Sequence, residues 1–232
     1  MNDPNRKVWE REYGEFKLIV NSLEDRPQSD LACFLRWLKK EQKIDFKKWR
    51  VLDLGSGSGR NANYLASIGC AVTGLEFSQP ALALARKRAE MSGVEIDYLE
   101  HDIGRPYPVP ANYFNLVLDI TSSNSLDEKG REIYLREVKR VLQLDSWFFL
   151  RALCKDGDKN VKELLKRFPG PERDTYIMPE LGLVERVFSK EDLEKTYGQY
   201  FKLAKLTRES QYVKFNNRRY KRYYWVAYLK ND

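Results

Sequence analysis

A doubly wound α/β fold, with an open and mostly parallel sheet covered by helices on both faces, is the architecture this sequence predicts. Three observations lead to it. Between Val51 and Leu153, short apolar strand-like runs alternate with helical periodicities, and the connections are brief. The first run, Val51-Leu52-Asp53-Leu54, ends in a loop with glycine at every second position, Gly55, Gly57 and Gly59. Two further strand-like segments close the chain, and the link between them is too short for a helical crossover, so they pair antiparallel.

Composition sets the outer bounds. A chain of 232 residues, 42% apolar and 13% aromatic, can bury one sizeable core and reads as a single domain. The formal charge of +7 suits anionic ligands or nucleic acid, and equally plain solubility. Cys33, Cys70 and Cys154 are odd in number and widely spaced. They make neither a disulfide framework nor a metal-ligand pattern, so no metal is expected and a cytoplasmic setting fits. No apolar run is long enough to span a membrane, and the N-terminus carries no signal-like segment.

In chain order, residues 1–48 read as an N-terminal helical cap. Trp9, Tyr13 and Phe16 recur at roughly one helical turn, a face that either packs on the domain or lids a pocket. Ser29-Asp30 offers an N-cap to a helix carrying Leu31, Phe34, Leu35 and Leu38, which ends in the lysine-rich run to Lys48. Residues 49–154 form the expected cofactor-binding core. After the glycine loop a helix begins near Arg60, with Tyr64, Leu65 and Ile68 on one side. Cys70–Glu76 is a strand ending in an acid; Ser78 caps the next helix, Pro80 fits its first turn and Gly93 stops it. Val94–Leu99 and Phe114–Asp119 are the next strands, separated by Pro106, Pro108 and Pro110. A helix from Leu126 to Leu142 buries Leu135, Val138 and Leu142, and Trp147–Leu153 is the fifth strand. Residues 155–188 are charged and irregular and read as a substrate-covering insertion. In residues 189–232, Ser189 with Asp192 resembles a capping box for a short helix. Phe201–Leu206 and Tyr223–Leu229 then pair around a basic loop, Lys214–Arg222.

The strand–glycine loop–helix junction is a place for a nucleotide-type cofactor. Glycine lets backbone approach a ligand closely, and the following helix points free N–H groups and its positive dipole end at the loop. A dinucleotide fingerprint requires glycine three positions after Gly57, where Arg60 stands. Glu76, closing the second strand, can accept both hydroxyls of a ribose, a feature common to several cofactors. Asp102-Ile103 after the third strand can hold an adenine edge, the carboxylate on the amino group and the backbone N–H on a ring nitrogen. Asp119 ends the fourth strand beside the switch point of the sheet, where open α/β folds bind ligands.

With these motifs, residues 29–153 and the terminal hairpin resemble the class I S-adenosylmethionine-dependent methyltransferases. The run Gly55-Ser56-Gly57-Ser58-Gly59-Arg60-Asn61 and the segment Val72–Ser78 look most like the small-molecule methyltransferase domain type, including the tellurite-resistance kind. The resemblance implies a Rossmann-like seven-stranded sheet and S-adenosyl-L-methionine as cofactor, with S-adenosyl-L-homocysteine as product. By that resemblance Gly55, Ser56, Gly57 and Gly59 line the methionine and ribose portion. Glu76 takes the ribose, with Phe77 beside the adenine; Asp102 and Ile103 hold the adenine edge. Asp119 and the Ile120 backbone face the methionine amino group, and Asp53 supports that group or the loop. Asn61 with Arg60 assists the carboxylate, and Tyr13 comes over the cofactor.

The sulfonium methyl is already electrophilic, so a base is needed only when the nucleophile arrives protonated. Accordingly the sequence shows no catalytic constellation. His101 belongs with the adenine-site wall, and Cys154 reads as a small buried or semi-buried thiol. Thr121-Ser122-Ser123-Asn124 can offer hydroxyl and amide groups to a substrate or simply cap the next helix. A small-molecule acceptor is the leading expectation. An RNA or protein methyltransferase using the basic hairpin is one alternative, because cations there interleave with Phe215, Tyr220, Tyr223 and Tyr224. A catalytically inactive cofactor-binding protein is the other. In the hairpin, period-two alternation predicts aromatics facing the sheet and charges facing water.

Overall fold

The longest apolar runs of the chain become the central strands of a seven-stranded sheet, flanked by one helical layer on each face. The computed structural model describes residues 4–15, 26–215 and 218–232. Phe16, expected on the first helix, lies outside the described residues.

Helix α1 spans Pro4–Glu15 and α2 Ser29–Glu41. Strand β1 (Arg50–Leu54) leads through the glycine loop into α3 (Arg60–Ser67), then β2 (Ala71–Glu76), α4 (Gln79–Ser92) and β3 (Ile96–Glu100). Next come β4 (Phe114–Ile120), a 3-10 turn at Ser123–Ser125, α5 (Glu128–Val141) and β5 (Leu142–Leu153). The chain closes with α6 (Lys159–Arg167), β6 (Thr175–Met178), β7 (Leu183–Arg186), α7 (Lys190–Gly198), β8 (Lys202–Phe215) and β9 (Arg218–Lys230). The sheet order is β3-β2-β1-β4-β5-β9-β8, parallel from β3 to β5, with β9 antiparallel to both β5 and β8. The order reverses between β1 and β4, so a crevice opens at their carboxyl ends.

Two cores explain why the sheet is covered on both faces. Leu52, Leu54, Val117, Phe148 and Leu150 pack on one side with Tyr134, Leu135 and Val138 of α5 and Tyr197 of α7. Val51, Leu116, Leu118 and Phe149 pack on the other with Phe34 and Leu38 of α2, Leu65 of α3 and Leu82 of α4. Phe148 and Phe149 are adjacent and point to opposite faces, the period of a strand buried on both sides. Burying each such side chain contributes about 1.5–3 kcal/mol.

Several boundaries differ from the sequence expectation. Helix α2 is capped by Gln28, whose side chain accepts from Asp30 N–H at 2.5 Å, rather than by Ser29. Asp127 caps α5, which therefore starts after Leu126. Strand β5 begins at Leu142, immediately after α5, because Leu142 already pairs with Phe114. The insertion is not irregular: it holds α6 and the two-stranded β6–β7 sheet. Helix α6 is capped by Asp158 and buries Val161 against Leu153, Tyr176 and Tyr224. The terminal hairpin is also longer than expected. Its basic stretch is strand, not loop, because the pairing of Ser210–Phe215 with Arg218–Tyr223 continues beyond the last residue of β5.

Candidate cofactor crevice

The glycine loop is shaped by what presses on it. Gly57 (φ 54°) and Gly59 (φ 80°) sit in the left-handed region. A Cβ on Gly57 would lie 2.4 Å from the Tyr13 hydroxyl, and one on Gly59 would lie 2.3 Å from the Tyr98 hydroxyl. Gly55 is approached as closely by Ser122, whose Oγ donates to the Gly55 carbonyl at 3.3 Å. Helix α3 starts directly at Arg60, with Gly59 at its N-cap supplying no side chain; the Asp53 carboxylate accepts from the Ala62 N–H of its first turn.

Three carboxylates from adjacent strand ends surround the loop. Glu76 of β2 accepts from Gly57 N–H at 3.0 Å and from Ser78 N–H at 2.8 Å, and burial still holds its carboxyl above the ordinary range. Asp53 of β1 is 2% exposed, and its Oδ2 has no partner among the described residues. Burial first, then repulsion from Asp119 and Glu76, pushes its pKa up to about 7, against an opposing pull from Arg60. Ser56 Oγ is likewise buried without a partner among the described residues. Asp119 of β4 is fully buried and accepts from Ser122 N–H at 2.8 Å and from the Tyr134 hydroxyl at 2.6 Å. Ser123 N–H adds longer bonds to both its oxygens. Its carboxylate is thus consumed inside the protein as the clamp of the β4–α5 turn, and the expected contact of this side chain with a ligand does not follow from the geometry. The carbonyl of the adjacent Ile120 accepts from the Thr121 hydroxyl at 2.6 Å.

At the other end of the crevice, Asp102 Oδ1 accepts from Gly104 N–H at 2.8 Å, and its side chain is 32% exposed. Ile103 is buried in the α5-side core. Phe77 is half-buried; the Arg6 guanidinium stands 5.8 Å from its ring centre and donates to its carbonyl at 3.3 Å. Asn61 Oδ1 accepts from Gln28 N–H at 2.9 Å, which ties the start of α3 to the start of α2. Its oxygen serves the scaffold.

Helix α1 roofs the crevice and is anchored at both ends. Asn5 Oδ1 accepts from Val184 N–H at 2.9 Å, while its Nδ2 donates to Val184 O at 3.1 Å and to Ser125 O at 2.7 Å. Arg6 bridges to Glu100 at 3.0 Å, beyond β2. Val8 packs on Leu181 and Leu183 of the insertion, and the Trp9 ring lies 6.1 Å from that of Tyr13. The Tyr13 hydroxyl is enclosed beside Glu76, which raises its pKa above the ordinary phenol value. The aromatic face seen in the sequence therefore does reach the glycine loop.

Sequence reasoning missed Asn5, Arg6, Tyr98 and Tyr134, which support the crevice, and saw Ser122 only as a substrate-side or capping hydroxyl. Their signal was weak: each reaches a partner far along the chain, and only the tight glycine spacing hinted that bulky neighbours close on the loop. His101 lies next to this wall, its ring 6.2 Å from Tyr107 in an edge-on contact, and its Nε2 has no partner among the described residues. Cys154 is fully buried, with its thiol pushed up to about 12 by burial. Among the described residues no group of three or more His, Cys, Asp or Glu can hold a metal ion, and no helix is long and apolar enough to cross a membrane.

The crevice fits a nucleoside cofactor with a cationic amino acid tail. It offers an unpartnered buried carboxylate oxygen at Asp53, an unpartnered hydroxyl at Ser56, an α3 start whose N-cap Gly59 supplies no side chain, and a glycine loop over which the Tyr13 hydroxyl closes. Residues 51–145 match the methyltransferase domain family. An uncharacterised methyltransferase of Schizosaccharomyces pombe is 29% identical over 123 residues, 53% of this chain and 81% of that protein. The ubiquinone biosynthesis O-methyltransferase of Thiobacillus denitrificans is 39% identical over 148 residues, 62% of this chain and 59% of that protein. In fold, the chain superposes on the 1,6-didemethyltoxoflavin-N1-methyltransferase of Burkholderia thailandensis with a TM-score of 0.70 at 17% identity, covering 98% of this chain and 87% of that one. The glycine loop, the strand-end acids, the sheet order and these matches agree: residues 51–145 are a methyltransferase domain, and the matches support a class I S-adenosylmethionine-dependent methyltransferase.

Proposed function

We propose that the protein transfers the methyl group of S-adenosylmethionine to a small-molecule acceptor, held at the carboxyl ends of β4 and β5 beneath α1 and the 155–188 insertion. The observation that carries this reading is the roof. Asn5 locks α1 to β7 by reciprocal bonds to Val184, and Tyr13 closes on Gly57, so the acceptor side is covered by two elements joined to each other. A covered chamber suits a compact acceptor. Relatives named as ubiquinone biosynthesis O-methyltransferases support the same class.

In this reading the cofactor supplies an electrophilic methyl carbon on sulfur. Gly55, Ser56, Gly57 and Gly59 let the backbone approach its amino acid and sugar portions. Asp53 Oδ2 receives the amino group and exchanges an unpaired buried charge for a paired one. Glu76 turns its remaining lone pairs to the ribose. Phe77, Asp102 and Ile103 bound the base, and Ile120 and Asn61 hold the strand and helix ends that frame the tail. Asp119 acts indirectly, by fixing the Ser122–Ser123 turn against Gly55. Tyr13 and α1 exclude water, which is the protein's main task once acceptor and methyl are aligned.

The test is transfer of labelled methyl from S-adenosylmethionine into fractionated cell extract. Label in the low-molecular-mass fraction supports the proposal. Label confined to RNA or protein contradicts it.

A further inference from the structure

We propose that the outer face of the β8–β9 arm is a docking surface for single-stranded RNA, separate from the cofactor crevice. The inference goes beyond the small-molecule reading, and its test fails or succeeds independently of methyl transfer.

The arm has a charge balance unlike the rest of the chain. From Lys202 to Lys230 there are nine Lys and Arg residues and a single acid, Glu209. Register sorts them onto two faces. Tyr224, Arg222 and Tyr220 share one face with Glu209 and Gln211, because Glu209 pairs with Tyr224 and Gln211 with Arg222. On that inner face the cation and the aromatic are both engaged. Arg222 donates to the Tyr176 hydroxyl at 2.6 Å and lies 3.7 Å from Glu185, and Tyr224 is buried under the Arg151 guanidinium at 3.3 Å.

The outer face is built differently. Arg208, Tyr212, Arg219, Lys221 and Tyr223 share it, with Tyr212 directly across from Lys221. Tyr212 is 67% exposed, although it is a large aromatic on a strand with no apolar neighbour to cover it. Arg208 and Lys221 flank the Tyr223 ring at 5.4 and 5.2 Å. Among the described residues neither these two cations nor Arg219 enters an ion pair, in contrast to Arg222 on the inner face. The expectation that aromatics face the sheet while cations face water therefore holds for Tyr224 and fails for Arg222, which turns inward with it.

Cations outside any ion pair among the described residues, of which Arg208 donates to the Asp156 carbonyl at 3.3 Å, alternate with an exposed aromatic on a strand and match the chemistry of a single-stranded nucleic acid. Side chains on one face repeat about every 7 Å along a strand, comparable to the spacing of consecutive phosphates in an extended strand. The cations neutralise phosphates while the exposed Tyr212 ring offers a π-face to an unstacked base. Helix α6 extends the positive field. It is joined to the arm by Asn160 Nδ2 donating to Lys221 O at 3.0 Å, and it exposes Lys159, Lys162 and Lys166. Two acids beside the lysines are already engaged, Asp158 by Val161 N–H and Tyr223 N–H and Asp174 by Lys155, while Glu163 is the one exposed acid on α6. An anionic membrane surface fits less well, because among the described residues of this face no aliphatic side chain is exposed.

The experiment is fluorescence anisotropy of the intact protein with a fluorescein-labelled oligouridylate of about twelve nucleotides, across a salt series. Saturable binding is expected, with log affinity falling against log salt at a slope of about −2 or steeper. The double variant Arg219→Glu, Lys221→Glu is expected to lose at least about tenfold in affinity and to flatten that slope by more than one unit. Tyr212→Ala is expected to lose about tenfold while keeping the wild-type slope. Unchanged S-adenosylmethionine binding in each variant shows that it remains folded. No saturable binding at low salt overturns the proposal, as does wild-type affinity in both variants. Preference for phosphatidylserine vesicles over the oligonucleotide overturns it as well.

Discussion

The hydroxyl of Tyr13 occupies the space that a side chain on Gly57 would need, 2.4 Å from the position of its Cβ. A residue of the roofing helix thus meets the most constrained point of the glycine loop. Gly57→Ala is expected to weaken S-adenosylmethionine binding by more than about tenfold, through the contact and through the left-handed φ of 54°. Adding Tyr13→Phe to Gly57→Ala relieves the contact and leaves the backbone strain, so calorimetry of the double variant should recover part of the loss.

Asp53 gives the unliganded protein a pH dependence. Its pKa rises on folding from an ordinary carboxylate value to about 7. The folded state therefore holds a proton that the unfolded state releases, and stability present at low pH is lost as pH rises through the window from about 4 to about 7. Asp53→Asn removes the buried charge. Urea unfolding should find the variant more stable than the parent by about 3 kcal/mol at neutral pH, with the gap closing toward pH 4. The same variant should bind S-adenosylmethionine more weakly, the familiar opposition of stability and function at a binding site.

Asp119 and Tyr134 should behave as scaffold. Their 2.6 Å bond lies in the fully buried core at the end of β4. Tyr134→Phe leaves the carboxylate short of a donor and is expected to lower thermal stability by about 1–3 kcal/mol. Cofactor affinity, measured below the melting temperature, should change far less.

Asn5 is the pin between α1 and the insertion. Asn5→Ala removes its bonds to Val184 and Ser125. Hydrogen exchange should then speed up at the Val184 amide and along α1 while the β1–β4 core stays protected. A few-fold loss of cofactor affinity is expected, because Tyr13 is carried on the loosened helix.

What the chain reveals before folding follows from how local each signal is. Gly55, Gly57, Gly59, the Ser78 cap and the Gly93 stop act on their own few residues, and all stand where their spacing puts them. The parallel sheet covered on both faces follows from alternation and short connections. Strands β6 and β7 were obscured because Thr175–Met178 and Leu183–Arg186 are only four residues each within a charged stretch, and gain their place by packing on α1 and α6. The basic stretch of the arm resembled a loop because its charges hid a period-two pattern that pairing with β8 makes plain. The protein donors that engage Asp119, from Ser122, Ser123 and Tyr134, were invisible in the sequence because they converge only in three dimensions. The crevice's outline was local; its supporting contacts were not.

The most direct measurement is a crystal structure of the protein grown with S-adenosylhomocysteine. The account predicts the nucleoside across the carboxyl ends of β1 and β2, its ribose hydroxyls hydrogen-bonded to Glu76, its amino group at Asp53 and its base beside Phe77 and Asp102. A ligand bound elsewhere, or a Glu76 carboxylate still turned to Gly57 and Ser78 with no sugar contact, would contradict it.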